Sequence, residues 1–464
     1  MQPSRALRVL LAALVLAAGL AAAPAPTPAG PLDDPCRELG APERACRTVQ
    51  VVAEGLAQTC RVAAADGTCA TLDGDPIDPA EVAAFAAGPV AESLRLQSRL
   101  GDVLPLRDAV FVSTHNSFNA AAYTPSLAGL DPNQRHTMHA QLELGARGLE
   151  LDLVTGPNPA TGRQEPLLCH SVCSVNDRPL AEGLEEIARW LEANPDEVLV
   201  IDVQDGISGA AQYDLAAAAF EAVLGDLLVR PSTPCAPIPL ETSRDDIRAS
   251  GARVLVYAGC GAGAAWGAVA HSSSPRSQSK ADGFEGFPAC REGDAASRYA
   301  TRWTRHWEDT TWLAAMAGTT GVLIDDRVAR EMTDCGLNMP SLDRLVPDDT
   351  RYDDLLWSWS VDGPGTEGDC AVLGTDRGFG ATGCDEPLPV ACRDASGRWT
   401  VLRTSSAQAD AADACTAAGA GRFDVPRSGW EAVQARLARD AAGVDGPVRL
   451  AYTRDAGEWT PVSR

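Results

Sequence analysis

Between about residue 101 and residue 345 the chain alternates short apolar runs with stretches of helical period, and this alternation constrains its fold most. The runs are Ala109–Val112, Leu149–Val154, Leu167–Cys169, Val198–Val203, Val254–Tyr257 and Val322–Ile324. Helical spacing marks Gln134–Leu144, Leu180–Glu192, Ala210–Leu228 and Thr310–Ala317. Within Leu180–Glu192, the residues Leu184, Ile187, Ala188 and Leu191 fall on one face, and the pattern stops at Asn194-Pro195. Strands that alternate with helices predict an α/β fold with a parallel sheet, and a barrel is the leading architecture. Six runs instead of eight imply an irregular barrel or a pair of strands that the pattern does not reveal.

The flanks read differently. Arg5 and Arg8 precede an apolar stretch from Val9 to Ala23, followed by alanines and prolines. A basic head, an apolar run and small residues describe a secretory signal over residues 1–25, so the mature protein is expected outside the cytoplasm. Fourteen cysteines fit that address, because exported chains favour disulfides over thiols. Cys60 with Cys69, and Cys169 with Cys173, are close enough in sequence to pair. Residues 26–100 read as a small disulfide-braced segment with a helix near Pro79–Leu100. A linker, Val346-Pro347-Asp348-Asp349, precedes a region of 350–464 rich in Trp, Gly and Cys, expected to form a smaller α+β domain.

The formal net charge is −24, and Lys280 is the only lysine. Such a balance argues against nucleic acid as a partner and against a polybasic membrane patch. No later stretch approaches the roughly 20 apolar residues of a membrane helix. Contact with a membrane surface is therefore expected to be transient, and the protein to be a monomer.

The chemistry concentrates where the strands of 101–345 end. In a parallel barrel the carboxyl ends of the strands and their following loops form the site. The first strand runs into Ser113-Thr114-His115-Asn116-Ser117, and the third into Leu168-Cys169-His170. On the second, Glu150 and Asp152 share a face while Leu149, Leu151 and Leu153 share the other. On the fourth, Asp202 and Gln204 oppose Leu199, Ile201 and Val203. Two carboxylates about 7 Å apart on one strand repel each other. A hard divalent cation with oxygen ligands relieves that. The remaining histidines read as structural: His136 and His139 on a helix, and His271 in a serine-rich loop. His306 is a candidate for lining a substrate mouth, and Arg147 reads as structural.

These pieces resemble the X region of phosphatidylinositol-specific phospholipase C. The matching segments are STHNSF at 113–118, QLELGARGLELDL at 141–153, LCHSVC at 168–173 and ANPDEVLVIDVQD at 193–205. They cover roughly 105 to 260 in the family order. The resemblance implies an irregular TIM-barrel phosphodiesterase domain over 101–345, with His115 and His170 as the catalytic histidines. It implies attack of an inositol 2-hydroxyl on phosphorus, with release of diacylglycerol from an inositol phospholipid. Asn116, Glu150 and Asp152 match calcium ligands, and Glu150 is also a candidate for sharing the base role. The metal-free branch places arginine where this chain has Asp152, so a calcium requirement is implied. Gln204 stands where a further glutamate ligand is expected. Its amide oxygen can coordinate but adds no charge, which leaves Asp202 or Asp205 to compensate.

Two other readings compete. A glycerophosphodiester phosphodiesterase also uses a Glu-x-Asp strand, but its first strand ends in His-Arg where this one has His115-Asn116. A catalytically inactive exported binding protein would draw support from Gln204. The C-terminal region resembles a C-type lectin-like domain with its halves in swapped order. The segments concerned are Trp357-Ser358-Trp359 to Cys392, then Ala411–Cys415 to Pro426. That likeness implies Cys370–Cys384 and Cys392–Cys415 bridges. It shows no calcium-dependent sugar-binding tripeptide, so docking on the barrel is the expected role, with sugar or glycolipid binding as the alternative.

Overall fold

A computed structural model describes residues 79–123, 133–158, 161–169, 178–207, 209–260, 263–273, 285–293, 302–309 and 323–462. The signal stretch, Cys60, Cys69, His170, Cys173 and the helix expected at Thr310–Ala317 lie outside the described residues. The helix expected near Pro79–Leu100 is two helices, Pro79–Ala86 and Pro89–Leu100. They part at Gly88, the N-cap of the second, whose first position is Pro89. Proline suits a first helical turn because it needs no partner for an N–H there.

Seven strands form a curled parallel sheet in the order β7-β6-β5-β2-β1-β9-β8. They are β1 (Ser113–Thr114), β2 (Gly148–Pro157), β5 (Leu199–Asp205), β6 (Val254–Ala258), β7 (His271–Ser272), β8 (His306–Glu308) and β9 (Met339–Leu342). Two more, β3 (Gln164–Leu168) and β4 (Arg178–Pro179), hang from β2 as an antiparallel extension. With helices on its outer face, this is the α/β irregular barrel expected from the alternation.

Three expected strands differ. Leu167–Cys169 is not a parallel barrel strand: β3 folds back on β2, with Leu153 opposite Leu168. The connection between them is too short for a crossover, and only an antiparallel return can be joined so tightly. Ladder pairing in the first strand starts at Ser113, after the expected run Ala109–Val112. Leu323 and Ile324 lead instead into the helix Asp326–Cys335, whose N-cap Asp325 accepts from the Val328 N–H at 2.9 Å. The sheet is continued by β8 and β9.

Side-chain alternation divides the strands as the sequence suggests. Leu149, Leu151, Leu153, Leu199, Ile201, Val203, Val254 and Val256 pack with Leu184, Ile187, Trp190 and Phe220 of the surrounding helices. Val200, Leu255 and Tyr257 point the other way. They fill the lower interior with Phe111, Trp303 and Met339. Above this apolar floor the inward positions become polar: Glu150 pairs in register with Asp202, and Asp152 with Gln204.

The C-terminal region forms a second sheet in the order β11-β10-β15-β12-β13, with β14 against β12 and β16 against β15. Its strands are β10 (Cys370–Leu373), β11 (Phe379–Thr382), β12 (Leu388–Arg393), β13 (Trp399–Ser406), β14 (Arg422–Phe423), β15 (Val448–Asp455) and β16 (Glu458–Pro461). Disulfides join Cys370 to Cys384 and Cys392 to Cys415, the pairs the lectin-like resemblance implies. Cys235–Cys260 and Cys290–Cys335 staple the barrel. Cys169 is also disulfide-bonded.

Candidate active site

The site is built at the carboxyl ends of β1, β2, β5, β8 and β9. His115 and Asn116 follow β1 directly. Asn116 has φ of 45°, a left-handed conformation that asparagine tolerates better than most residues. This turn lets the Asn116 N–H donate to Oε2 of Glu150 at 3.2 Å. Gln134 fixes the same corner, its amide donating to the carbonyls of His115 (2.7 Å) and Leu342 (2.8 Å). The ends of β1 and β9 are thereby tied together. Gln134 does this from outside any helix: the helix expected at Gln134–Leu144 spans Met138–Glu143, behind a Thr137 N-cap.

The imidazole of His115 is 3% exposed and held on both sides. Its Nδ1 lies 3.0 Å from Oδ1 of Asp343, the residue after β9. Asn133 donates to the same carboxylate oxygen at 3.0 Å. Nε2 of His115 faces the Asn116 amide at 3.0 Å and Oε2 of Glu150 at 4.0 Å. Burial by itself would lower the His115 pKa, but the carboxylates of Asp343 and Glu150 override it and push it up to about 10.

Across the mouth, Gln204 Nε2 donates to Oε1 of Glu150 and, at 3.1 Å, to Oε1 of Glu308. A ring nitrogen of His115 and carboxylate oxygens of Glu150 and Glu308 lie within 4.8 Å of one another. Burial, followed by the charge of Glu150, raises the Asp152 pKa to about 8. Glu150 is also raised, by burial and then by Glu308, against the opposing pull of His115. Carboxylates this crowded favour either protons or a cation.

The donors fit a hard divalent cation. The Asn116 amide terminus lies 3.0 and 3.3 Å from the two carboxylate oxygens of Asp152. With its nitrogen toward Asp152, Asn116 donates to the carboxylate and accepts from His115 Nε2–H. With its oxygen toward Asp152, oxygen meets oxygen, a contact made favourable by a proton on the Asp152 carboxyl or by a cation between the two. Asn116, Glu150, Asp152 and Glu308 bring oxygen atoms to this point, the donor type that a hard divalent cation takes. Gln204 turns its NH₂ group toward the two glutamates, so it clamps them in this arrangement.

His115, Asn116, Glu150, Asp152 and Gln204 thus meet at one place. His170 and the side chain of Asp205 lie outside the described residues. Asp202 is 1% exposed and sits beneath the mouth, where Oδ2 is 2.9 Å from Nδ1 of His306. His306 is therefore a buried partner of Asp202 and does not line an open mouth. Burial would lower its pKa, but the hydrogen bond and charge of Asp202 raise it. His271 is structural, its ring nitrogens 3.2 Å from the carbonyls of Ala236 and Val229. Arg147 is structural too, bonded to Glu197 and stacked on Trp190.

Sequence reasoning missed Asp343, Asn133, Glu308 and Asp309. Asp309 accepts from the N–H groups of Ile324 and Asp343 and from Arg351, so it supports the loop that carries Asp343. The available signal was Met339-Pro340-Ser341-Leu342-Asp343, a short strand that also ends in a carboxylate. Pro340 and Ser341 disguise it, since proline inside a run argues against a central strand.

The family described as Rv2075c PI-PLC-like domain matches residues 76–349. The uncharacterized protein Rv2075c of Mycobacterium tuberculosis is 33% identical over 475 residues, covering 95% of this chain and 96% of its own length. The PI-PLC X domain-containing protein At5g67130 of Arabidopsis thaliana is 32% identical over 111 residues, 22% of this chain and 24% of its own. Among solved structures, the phosphatidylinositol-specific phospholipase C from Listeria monocytogenes is similar at 15% identity and a TM-score of 0.39. That match covers 56% of this chain and 97% of the other. A calcium-dependent phosphoinositol-specific phospholipase C from a Pseudomonas species is similar at 15% identity and a TM-score of 0.32. It covers 52% of this chain and 91% of the other. With its barrel matched throughout and a full-length relative at one-third identity, the chain belongs to the Rv2075c PI-PLC-like domain family.

Proposed function

We propose that this chain is an exported phosphoric diester hydrolase or lyase that cleaves phosphatidylinositol or a related inositol phospholipid with the help of calcium. The observation that carries the reading is His115, held between Asp343 and Asn116 beside the Glu150–Asp152 strand. An imidazole fixed through Nδ1 by a carboxylate presents Nε2 in one direction, as a general base or acid requires. Asp343 orients the ring and stabilises its charged form. His115 is placed to take the proton of the attacking hydroxyl at Nε2 once a bound cation offsets the carboxylate charge that otherwise keeps the ring protonated. His170, matched from sequence, is the counterpart that protonates the departing oxygen. Asn116, Glu150 and Asp152 would hold the calcium ion, which when bound lowers the pKa of the hydroxyl and neutralises phosphoryl charge.

The test is cleavage of phosphatidylinositol by the purified mature protein with calcium, with chelator, and in His115→Ala and Asp343→Asn variants. Calcium-dependent release of inositol phosphate is expected, abolished in His115→Ala and reduced by roughly 10²–10⁴-fold in Asp343→Asn. Turnover of glycerophosphodiesters alone would move the assignment to that class. A folded protein that binds calcium but turns over neither substrate would favour the binding-protein reading.

A further inference from the structure

We infer that Glu308 on β8 is the cation-ligating carboxylate that this chain lacks at position 204, so that one ligand has moved from β5 to the opposite wall of the mouth. The inference rests on the calcium reading above and identifies which of the chain's own residues complete the site.

The geometry follows from strand order. Gln204 on β5 neighbours β2, which carries Glu150 and Asp152. Beyond β2 lie β1, then β9, then β8 with Glu308 opposite Ser341. Glu308 therefore enters from the side of the barrel away from β5. It nevertheless reaches the same point, because Gln204 Nε2 bonds to both Glu150 and Glu308. An amide NH₂ between two carboxylates donates to each and repels neither. A glutamate at 204 would place a fourth carboxylate against Glu150, Asp152 and Glu308. Glutamine at 204 and glutamate at 308 are thus complementary: the charge is kept, and the neutral residue becomes a clamp. Glu308 is 7% exposed, so its carboxylate is kept from bulk water and faces the mouth beside Gln204.

The two positions are tested by calcium titration calorimetry on the full mature protein, alongside thermal melting with and without calcium. Glu308→Gln is expected to weaken calcium binding about tenfold or more, since affinity follows the number of charged ligands. The exchange Glu308→Gln with Gln204→Glu is expected to restore much of that loss. Gln204→Glu alone is expected to lower the cation-free melting temperature and to enlarge the rise that calcium produces. Wild-type affinity retained in Glu308→Gln, while Asp152→Asn loses it, would overturn the assignment to Glu308 and leave the calcium reading intact. A Gln204→Glu variant that melts and binds like wild type would overturn it as well, even if Glu308→Gln does not fold. No calcium heat in the wild type would instead remove the calcium reading on which the inference stands.

Discussion

At the residue scale the site carries its own pH dependence. Without a cation, the Asp152 carboxyl has its folded-state pKa raised to about 8, from an ordinary value near 4. A raised acid binds more protons folded than unfolded. Its favourable contribution is therefore complete below about pH 4 and is lost as pH rises through about 8. Glu150 is shifted in the same direction. His115, raised to about 10, contributes fully below its ordinary value near 6.5 and loses that contribution as pH passes 10. Among these groups the carboxylates act alone between pH 5 and about 6.5 and His115 joins them above it in the same direction, so the cation-free protein is expected to melt lower at pH 8 than at pH 5. A cation must displace those protons, so the rise in melting temperature on adding calcium is expected to be larger at pH 8. Scanning calorimetry at the two pH values, with calcium and with chelator, measures this. Equal calcium effects at both would mean that the carboxylates are not its ligands.

The same scale shows what the sequence made readable. Glu150, Asp152 and Gln204 sit on regular strands, where a period of two decides which way a side chain points. Asn133 and Asp343 depend on loops whose closure brings together residues 210 positions apart, and no local period reports that.

At the element scale, the short β1 relies on neighbours with room for it. Gly148 faces Ser113 in register, and a Cβ on it would lie 2.5 Å from the Ser113 Oγ and 2.9 Å from its Cβ. Met339 of β9 stands 3.1 Å from the same point. Glycine is required there by close approach. Gly148→Val is expected to cost about 1–3 kcal/mol by overpacking. Because Gly148 lies just before Glu150 while Ser113 lies just before His115, the wedge would also shift the imidazole against its carboxylate. Melting temperature and turnover are therefore expected to fall together, whereas Leu184→Ala, buried between its helix and the outer side of the sheet, is expected to lower stability with little change in turnover per folded molecule. Measuring both on each variant separates the two effects.

Elements of strong period were legible: Leu180–Ala193, β2, β5 and β6 match their expected spans closely. The parallel strands missed, β7, β8 and β9, have two, three and four residues, His271 standing on β7 and not in the expected serine-rich loop, and draw their stability from parallel neighbours more than from their own pattern. A two-residue strand such as β1 is defined by its partners on both sides.

At the scale of the whole molecule, the second sheet is joined to the barrel through a shared core. Helix Pro89–Leu100 turns Leu94 toward the barrel helices, while Leu96 and Leu100 pack with Trp357, Trp359 and Tyr452. Gln97 on the same helix donates to the Leu355 carbonyl at 3.1 Å and accepts from the Trp357 N–H at 2.8 Å. Asp334 of the barrel receives Arg377 at 3.1 Å and Arg436 at 3.3 Å. Gly429, at the start of the helix Gly429–Ala441, leaves no space beside Thr333, whose carbonyl oxygen would lie 2.2 Å from an added Cβ. Arg351 and Tyr352, by contrast, belong to the barrel side. Arg351 bonds to Asp309, and the Tyr352 hydroxyl donates to the Leu144 carbonyl at 2.7 Å. A chain ending at Leu356 therefore keeps the support of Asp343 but uncovers Leu96 and Leu100. Each uncovered leucine forfeits roughly 1.5–3 kcal/mol of burial. The truncated chain is expected to melt lower and to self-associate on size-exclusion chromatography with light scattering. Adding Leu96→Ser and Leu100→Gln to the truncation is expected to restore a monodisperse monomer, since those two side chains form the uncovered patch. A truncated chain that is already monomeric and melts like the full protein would show that the second sheet adds no support to the barrel.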